Sequence, residues 1–212
     1  MKSNIDIVVL KDEYPGDRLR YFLRSVCKFI KFVNNIYIIV KNHEEIPNWL
    51  NLDNTNIVLL TYEDLCGNYP KELRSNIIEQ YIPTIPGLTE RFIYFSDSVV
   101  ISEPGEITQF FDNNKCCIFS TVKFINPKNY NQDEITMYHN SKYIDQLCNL
   151  KKHKYEYEYI NRGIIPLYKT PHNLLGKTND PKFDIRLYAL YLQKHGYSNF
   201  NTISIKKLTD NE

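Results

Sequence analysis

The stretch ERFIYFSDSVVISEP, Glu90 to Pro104, decides the fold. Phe92, Ile93, Tyr94 and Phe95 form an unbroken apolar run, the pattern of a strand covered on both faces. The run stops at Ser96-Asp97-Ser98 and resumes as Val99, Val100 and Ile101. A buried strand that ends on a carboxylate between two hydroxyls brings polar groups to one edge of its sheet.

The chain before this stretch repeats the pattern. IDIVVL (Ile5 to Leu10) is a second apolar, β-branched run. It is followed by a helix over residues 17–33, with Leu19, Phe22, Leu23, Val26, Phe29, Ile30 and Val33 at helical spacing and charges on the other face. NIYIIV (Asn35 to Val40) and NIVLLTY (Asn56 to Tyr62) read as further strands, and PKELRSNIIEQYIPTI reads as helical from Lys71, closed by Pro83. The resulting β-α-β-β-α-β order predicts an α/β domain whose mostly parallel central sheet is flanked by helices on both faces. Ligands of such sheets sit beyond the carboxyl ends of the strands, where Ser96, Asp97 and Ser98 fall.

Composition narrows the class. The 212 residues are 42% hydrophobic and 24% charged, which is ordinary for a globular chain with one large core, and one domain over 1–212 is expected. A formal net charge of +1 without a dense basic block leaves no electrostatic footprint for nucleic acid or an anionic membrane surface. No apolar run is long enough for a membrane span, and no signal-peptide pattern opens the chain. The five cysteines, Cys27, Cys66, Cys116, Cys117 and Cys148, lack the CxxC pairs of a zinc site and read as thiols of a reducing, cytoplasmic compartment.

Asp97 has two readings. A hard divalent cation takes oxygen ligands and keeps bonds to substrate phosphates, so one or two carboxylates at a strand end can hold it against a diphosphate. An Asp between serines also closes a turn through its own side chain.

Three blocks, LRYFLRSVCKFIKFVNNIYIIVKNHEEIPNWLN, YEDL and LRSNIIEQYIPTIPGLTERFIYFSDSVVISEP, together with FF at Phe110-Phe111, resemble the Stealth-type sugar-phosphate transferases. More broadly they are similar to GT-A glycosyltransferases, and also to the glycosyltransferase domain of a large viral multidomain protein, for which host cytoplasm would be the setting. The resemblance covers Leu19 to Phe111 and is most specific in IPGLTERFIYFSDS. It implies a nucleotide-binding half over 1–103, an acceptor half over 104–212, a UDP-sugar donor, a glycan or glycoprotein acceptor, and Mn2+ or Mg2+ as cofactor. Two departures stand out. Ser96-Asp97-Ser98 replaces the Asn-Asp-Asp of the Stealth pattern, and LKDEYPGD replaces its Trp-Val-Asp-Gly opening. They shift the expectation from sugar-1-phosphate transfer to glycosyl transfer, with a non-catalytic nucleotide-sugar or glycan-binding module as a further alternative.

Within that resemblance, Lys11, Asp12 and Arg18 follow the first strand, where such enzymes grip the nucleotide. Arg74 and Ser75 lie on the helix before the Asp97 strand, and the planar guanidinium of Arg74 suits a diphosphate. INRGIIPLY, carrying Arg162 and Gly163, resembles the strand beneath the donor sugar, where a glycine permits close backbone approach. His172 resembles a late histidine that completes the metal shell with Asp97. Asp184, heading a Leu- and Tyr-rich helix, is the candidate catalytic base, though Asp180 and Asp184 both also fit helix-start carboxylates. KKHKYEYEYINR reads as a mixed-charge strand or helix face.

Overall fold

The computed structural model describes residues 5–11, 16–53, 56–67, 75–124, 132–148, 156–160, 163–169 and 183–201. Their elements run β1 (Ile5–Leu10), α1 (Arg18–Phe29), β2 (Ile36–Val40), β3 (Ile57–Thr61), α2 (Tyr62–Cys66), α3 (Ser75–Glu79) and β4 (Arg91–Ser96). The second half adds β5 (Phe111–Asp112), β6 (Lys115–Phe124), α4 (Gln132–Leu147), β7 (Glu156–Ile160), β8 (Ile164–Tyr168), α5 (Arg186–Lys194) and β9 (Ser198–Asn201).

The first sheet has the order β3-β2-β1-β4-β8. Four strands are parallel, as their unbroken apolar runs require, and β8 lies antiparallel on β4. β1 and β2 are buried along their whole length, which parallel strands achieve only when both faces are covered. α1 covers one face. Its Leu19, Phe22, Leu23 and Val26 are buried, and the Phe22 and Phe95 rings stand 5.4 Å apart. Burying four such side chains stabilises the fold by roughly 1.5–3 kcal/mol each. Tyr94 points to the opposite face, where its hydroxyl meets Glu79 of α3.

The α1 pattern extends to Val33, yet the helix stops at Phe29. Ile30 turns to an extended conformation and bridges Gly105, so its side chain joins the core from a new direction.

A second sheet has the order β5-β6-β7, with β9 paired to β6. A two-residue turn joins β5 to β6, and Asn113 and Asn114 both take positive φ (48° and 61°). Asparagine tolerates that region, which tight hairpins demand. Within the KKHKYEYEYINR segment, Glu156–Ile160 form β7. α4 went unforeseen because its buried positions are largely polar: Thr136, Asn140, Ser141 and Asp145 stand with Met137 and Ile144 at helical spacing.

Candidate functional site at the carboxyl edge of the sheet

The chain leaves β1 for β2 and β3 on one side and returns to β4 on the other. The carboxyl ends of β1 and β4 therefore flank a topological switch point, the usual crevice for a ligand. Register sets the neighbours. Leu10 pairs with Ser96, which puts Lys11 and Asp97 next to one another at the edge. Gly163, just before β8, accepts a 2.9 Å hydrogen bond from the Ser96 amide. Lys11, Ser96, Asp97 and Gly163 thus converge from three distant parts of the sequence.

At the turn, the Val99 amide donates back to the Ser96 carbonyl at 3.1 Å. The Ser96 and Ser98 hydroxyl oxygens are 2.8 Å apart, and the Ser98 amide reaches Ser96 Oγ at 3.4 Å. Asp97 is only 3% exposed. At this turn the hydroxyl pair lies beside an Asp97 carboxylate that is itself buried. Ser25 anchors the exit of the turn, donating to the Phe22 carbonyl at 2.8 Å and accepting from the Ile101 amide at 3.0 Å.

The edge also carries charge. Lys11 Nζ lies 3.6 Å from Glu45 Oε2, and both side chains are mostly buried. Arg18 opens α1 in an exposed position. Ser75, half-buried at the head of α3, donates to Asn76 Oδ1 at 3.5 Å. Glu79 meets Tyr94 two residues before Ser96, and the chain continues from there to Leu88 and Lys169 near the amino end of β4. Ser75 is consequently about one helical turn nearer the ligand edge than Glu79.

Asp184 is not a base at this edge. It is fully buried, and its carboxylate accepts from Asn140 Nδ2 at 2.8 Å, from the Arg186 amide at 3.0 Å, from Arg186 Nε at 2.9 and 3.1 Å, and from Arg186 Nη2 at 2.6 Å. A carboxylate closed by a bidentate guanidinium cannot reach a substrate hydroxyl in this arrangement. Beside it, Glu79 is also fully buried, accepting from Tyr94 Oη at 2.7 Å and from the Ile185 amide at 3.1 Å. The sequence reading missed this network of Glu79, Tyr94, Asn140 and Arg186. One signal was available: Glu79 shares the helical face of Ile78 and Ile82, an odd place for a charge without partners.

Asp12, Arg74, Arg162, Asp180 and His172 lie outside the described residues. Among the described residues no three His, Cys, Asp or Glu side chains come together to hold a metal ion. The turn itself offers one charged oxygen donor, the buried Asp97 carboxylate, beside two hydroxyls bonded to each other; a Mn2+ or Mg2+ ion would need further oxygen ligands from a substrate or from elsewhere in the chain. No helix among the described residues is long and apolar enough to cross a membrane.

The fold defines an α/β protein whose mostly parallel sheet has a topological switch point between β1 and β4. Residues 14–119 match Stealth protein CR2, conserved region 2, and the chain belongs to the Stealth family. Among its relatives, the receptor polysaccharide phosphotransferase WefC of Streptococcus oralis is 33% identical over 104 residues, 49% of this chain and 31% of that protein. The N-acetylglucosamine-1-phosphotransferase subunits alpha/beta of Homo sapiens are 35% identical over 116 residues, 54% of this chain and 9% of that protein. The matched stretch is thus under a third of either relative. Among solved structures, the inositol-1-phosphate CTP transferase from T. maritima superposes with a TM-score of 0.50 at 12% identity, over 96% of this chain and 86% of that one. That likeness concerns the fold.

Proposed function

We propose that the chain is the nucleotide-sugar-binding part of a transferase that moves a sugar-1-phosphate from a UDP-sugar to a glycan hydroxyl. The observation that carries this reading is the Stealth match over 14–119, which includes β4 and the turn at Ser96; Lys11 and Gly163 reach the same carboxyl edge from outside the matched residues. Family membership favours phosphotransfer over the glycosyl transfer that the departures in the motif suggested, because the relatives are named as phosphotransferases.

In this reaction the acceptor oxygen attacks the phosphorus that bears the sugar. The bond from that phosphorus to the bridging oxygen breaks, UMP departs, and the acceptor hydroxyl releases its proton. Lys11 and Arg18 would face the diphosphate, and Gly163 would let the sugar approach the β8 end closely. The charged part of the nucleotide gains most from such fixed cations, since charge shifts onto the leaving phosphate.

Product analysis tests the reading. The chain incubated with UDP-N-acetylglucosamine and a polysaccharide acceptor should release UMP and yield a phosphodiester-linked sugar by phosphorus NMR. Release of UDP would instead support glycosyl transfer, and binding without either product would leave a nucleotide-sugar-binding module.

A further inference from the structure

The outer face of α1 is exposed and carries an uneven share of the charge. Residues 18–43 contain six lysines and arginines and no aspartate or glutamate, whereas the other residues carry 20 Lys and Arg against 25 Asp and Glu. Spaced along a helix, these cations form no dense block in the sequence, and the net charge of +1 conceals them. The fold gathers them. Leu19, Phe22, Leu23 and Val26 turn into the core, so Tyr21, Arg24 and Lys28, at i, i+3 and i+7, stand together on the exposed side. The Arg20 guanidinium lies beside them, 5.8 Å from the centre of the Trp49 ring and 3.7 Å from Asp17. This contact brings the β2–β3 connection against the first turns of α1, and the same connection carries Glu45, the partner of Lys11. Two large rings are thereby exposed among the cations, Tyr21 at 57% and Trp49 at 37%. Arg24 and Lys28 have no carboxylate within ion-pair distance among the described residues. Like charges one turn apart repel, so the helix itself gains no stability from placing them together.

We infer that this face docks on an anionic lipid surface, as a peripheral contact made by Arg20, Tyr21, Arg24, Lys28 and Trp49. Phosphate headgroups supply a plane of negative charge, and each Lys or Arg held near it adds attraction. Tyr and Trp rings settle at the boundary between headgroup and acyl chain, because one end of each is apolar and the other can hydrogen-bond. The back of a 12-residue helix, about 18 Å long, is convex and suits a plane. A soluble glycan is held differently, in a concave cleft whose polar groups bond its hydroxyls. Between Arg18 and Val33 there is no Asp, Asn, Glu or Gln to do so. No described helix is long and apolar enough to cross a bilayer, so the contact is made at the surface.

Trp49 is the single tryptophan of the chain, and its fluorescence reports on this face alone. The full chain is mixed with vesicles of phosphatidylcholine, or of phosphatidylcholine with phosphatidylglycerol, and followed by co-sedimentation and by Trp49 emission. The anionic vesicles should carry the chain down and shift the emission to the blue; the neutral ones should do neither. Salt at about 0.5 M, where screening shortens to a few ångströms, should reverse both effects. Arg24→Gln/Lys28→Gln, checked for folding by circular dichroism, should bind about twentyfold more weakly, since each cation near the surface contributes about fivefold. No sedimentation with anionic vesicles, equal binding by the double variant, or sedimentation without any change at Trp49 would overturn the inference. Binding to dextran sulfate but not to vesicles would overturn it too, by assigning the face to a soluble polyanion. None of these outcomes bears on the release of UMP, so the transferase reading stands or falls separately.

Discussion

Arg186 Nη2 lies 2.6 Å from Asp184 Oδ2, and neither side chain is exposed to solvent. The pair joins the head of α5 to Asn140 of α4, so it ties together elements that lie far apart in sequence. Removing one member leaves the other as a buried charge, which costs about 3–5 kcal/mol. Asp184→Ala should therefore lower stability by that amount in urea denaturation. The double variant Asp184→Leu/Arg186→Met should recover most of it, because no lone charge remains. Wild-type stability in Asp184→Ala would return Asp184 to the list of candidate bases.

Thr61 and Asp64 form a reciprocal cap on α2. Both the Thr61 amide and its hydroxyl donate to Asp64 Oδ2 at 2.7 Å, and the Asp64 amide donates to Thr61 Oγ1 at 3.2 Å. The amide bond first, and the hydroxyl bond second, hold the Asp64 carboxyl below its usual range. With the folded-state pKa depressed, the contribution is complete above the ordinary carboxylate pKa of about 3.9 and fades as pH falls through the folded value. Thr61→Ala should cost about 1 kcal/mol at neutral pH. The difference from wild type should shrink at acid pH, as followed by thermal melts across a pH series; a gap that does not depend on pH would count against the cap.

The cysteines should separate by reactivity. Cys27 is exposed on α1, whereas Cys116 and Cys117 are buried in β6. Burial, reinforced by the neighbouring Cys117, pushes the Cys116 thiol well above its ordinary range, so little thiolate is present at neutral pH. Alkylation with iodoacetamide, read by peptide mass spectrometry, should label Cys27 early and leave Cys116 protected until the chain is unfolded. Equal rates in the native protein would contradict the packing of β6.

Lys11 offers a test of the ligand edge that does not involve the Ser96 turn. Its side chain pairs with Glu45, which holds the cation at the end of β1. Lys11→Met should weaken UDP-N-acetylglucosamine binding by about tenfold, in line with a charged contact worth roughly 1.5 kcal/mol, and should flatten the salt dependence of that binding. Unchanged affinity and salt response would place the diphosphate elsewhere.

Much of this organisation was legible in the residues themselves. The buried strands of the first half announce themselves as unbroken apolar runs at Ile5–Leu10, Ile36–Val40 and Arg91–Ser96, because a parallel strand covered on both faces has no room for polar side chains. The order of those strands put Lys11 and Asp97 at one edge, and the register of β1 on β4 agrees. The second half was harder to read because its signals are polar. α4 buries Asn140 and Ser141, the β5–β6 hairpin depends on two asparagines, and β8 takes its place only by pairing antiparallel with β4.

Side-chain direction belonged wholly to the tertiary structure. Nothing in the letters Ser96-Asp97-Ser98 says that the two hydroxyls will meet across the turn after β4 or that the carboxylate between them will be buried. Nor do the letters around Asp184 say that Asn140 will close on it from α4. Periodicity and burial are local properties of a chain, repeated at every turn of a helix or pleat of a strand. The partner of a buried charge is chosen by whichever distant group the packed elements bring within about 3 Å.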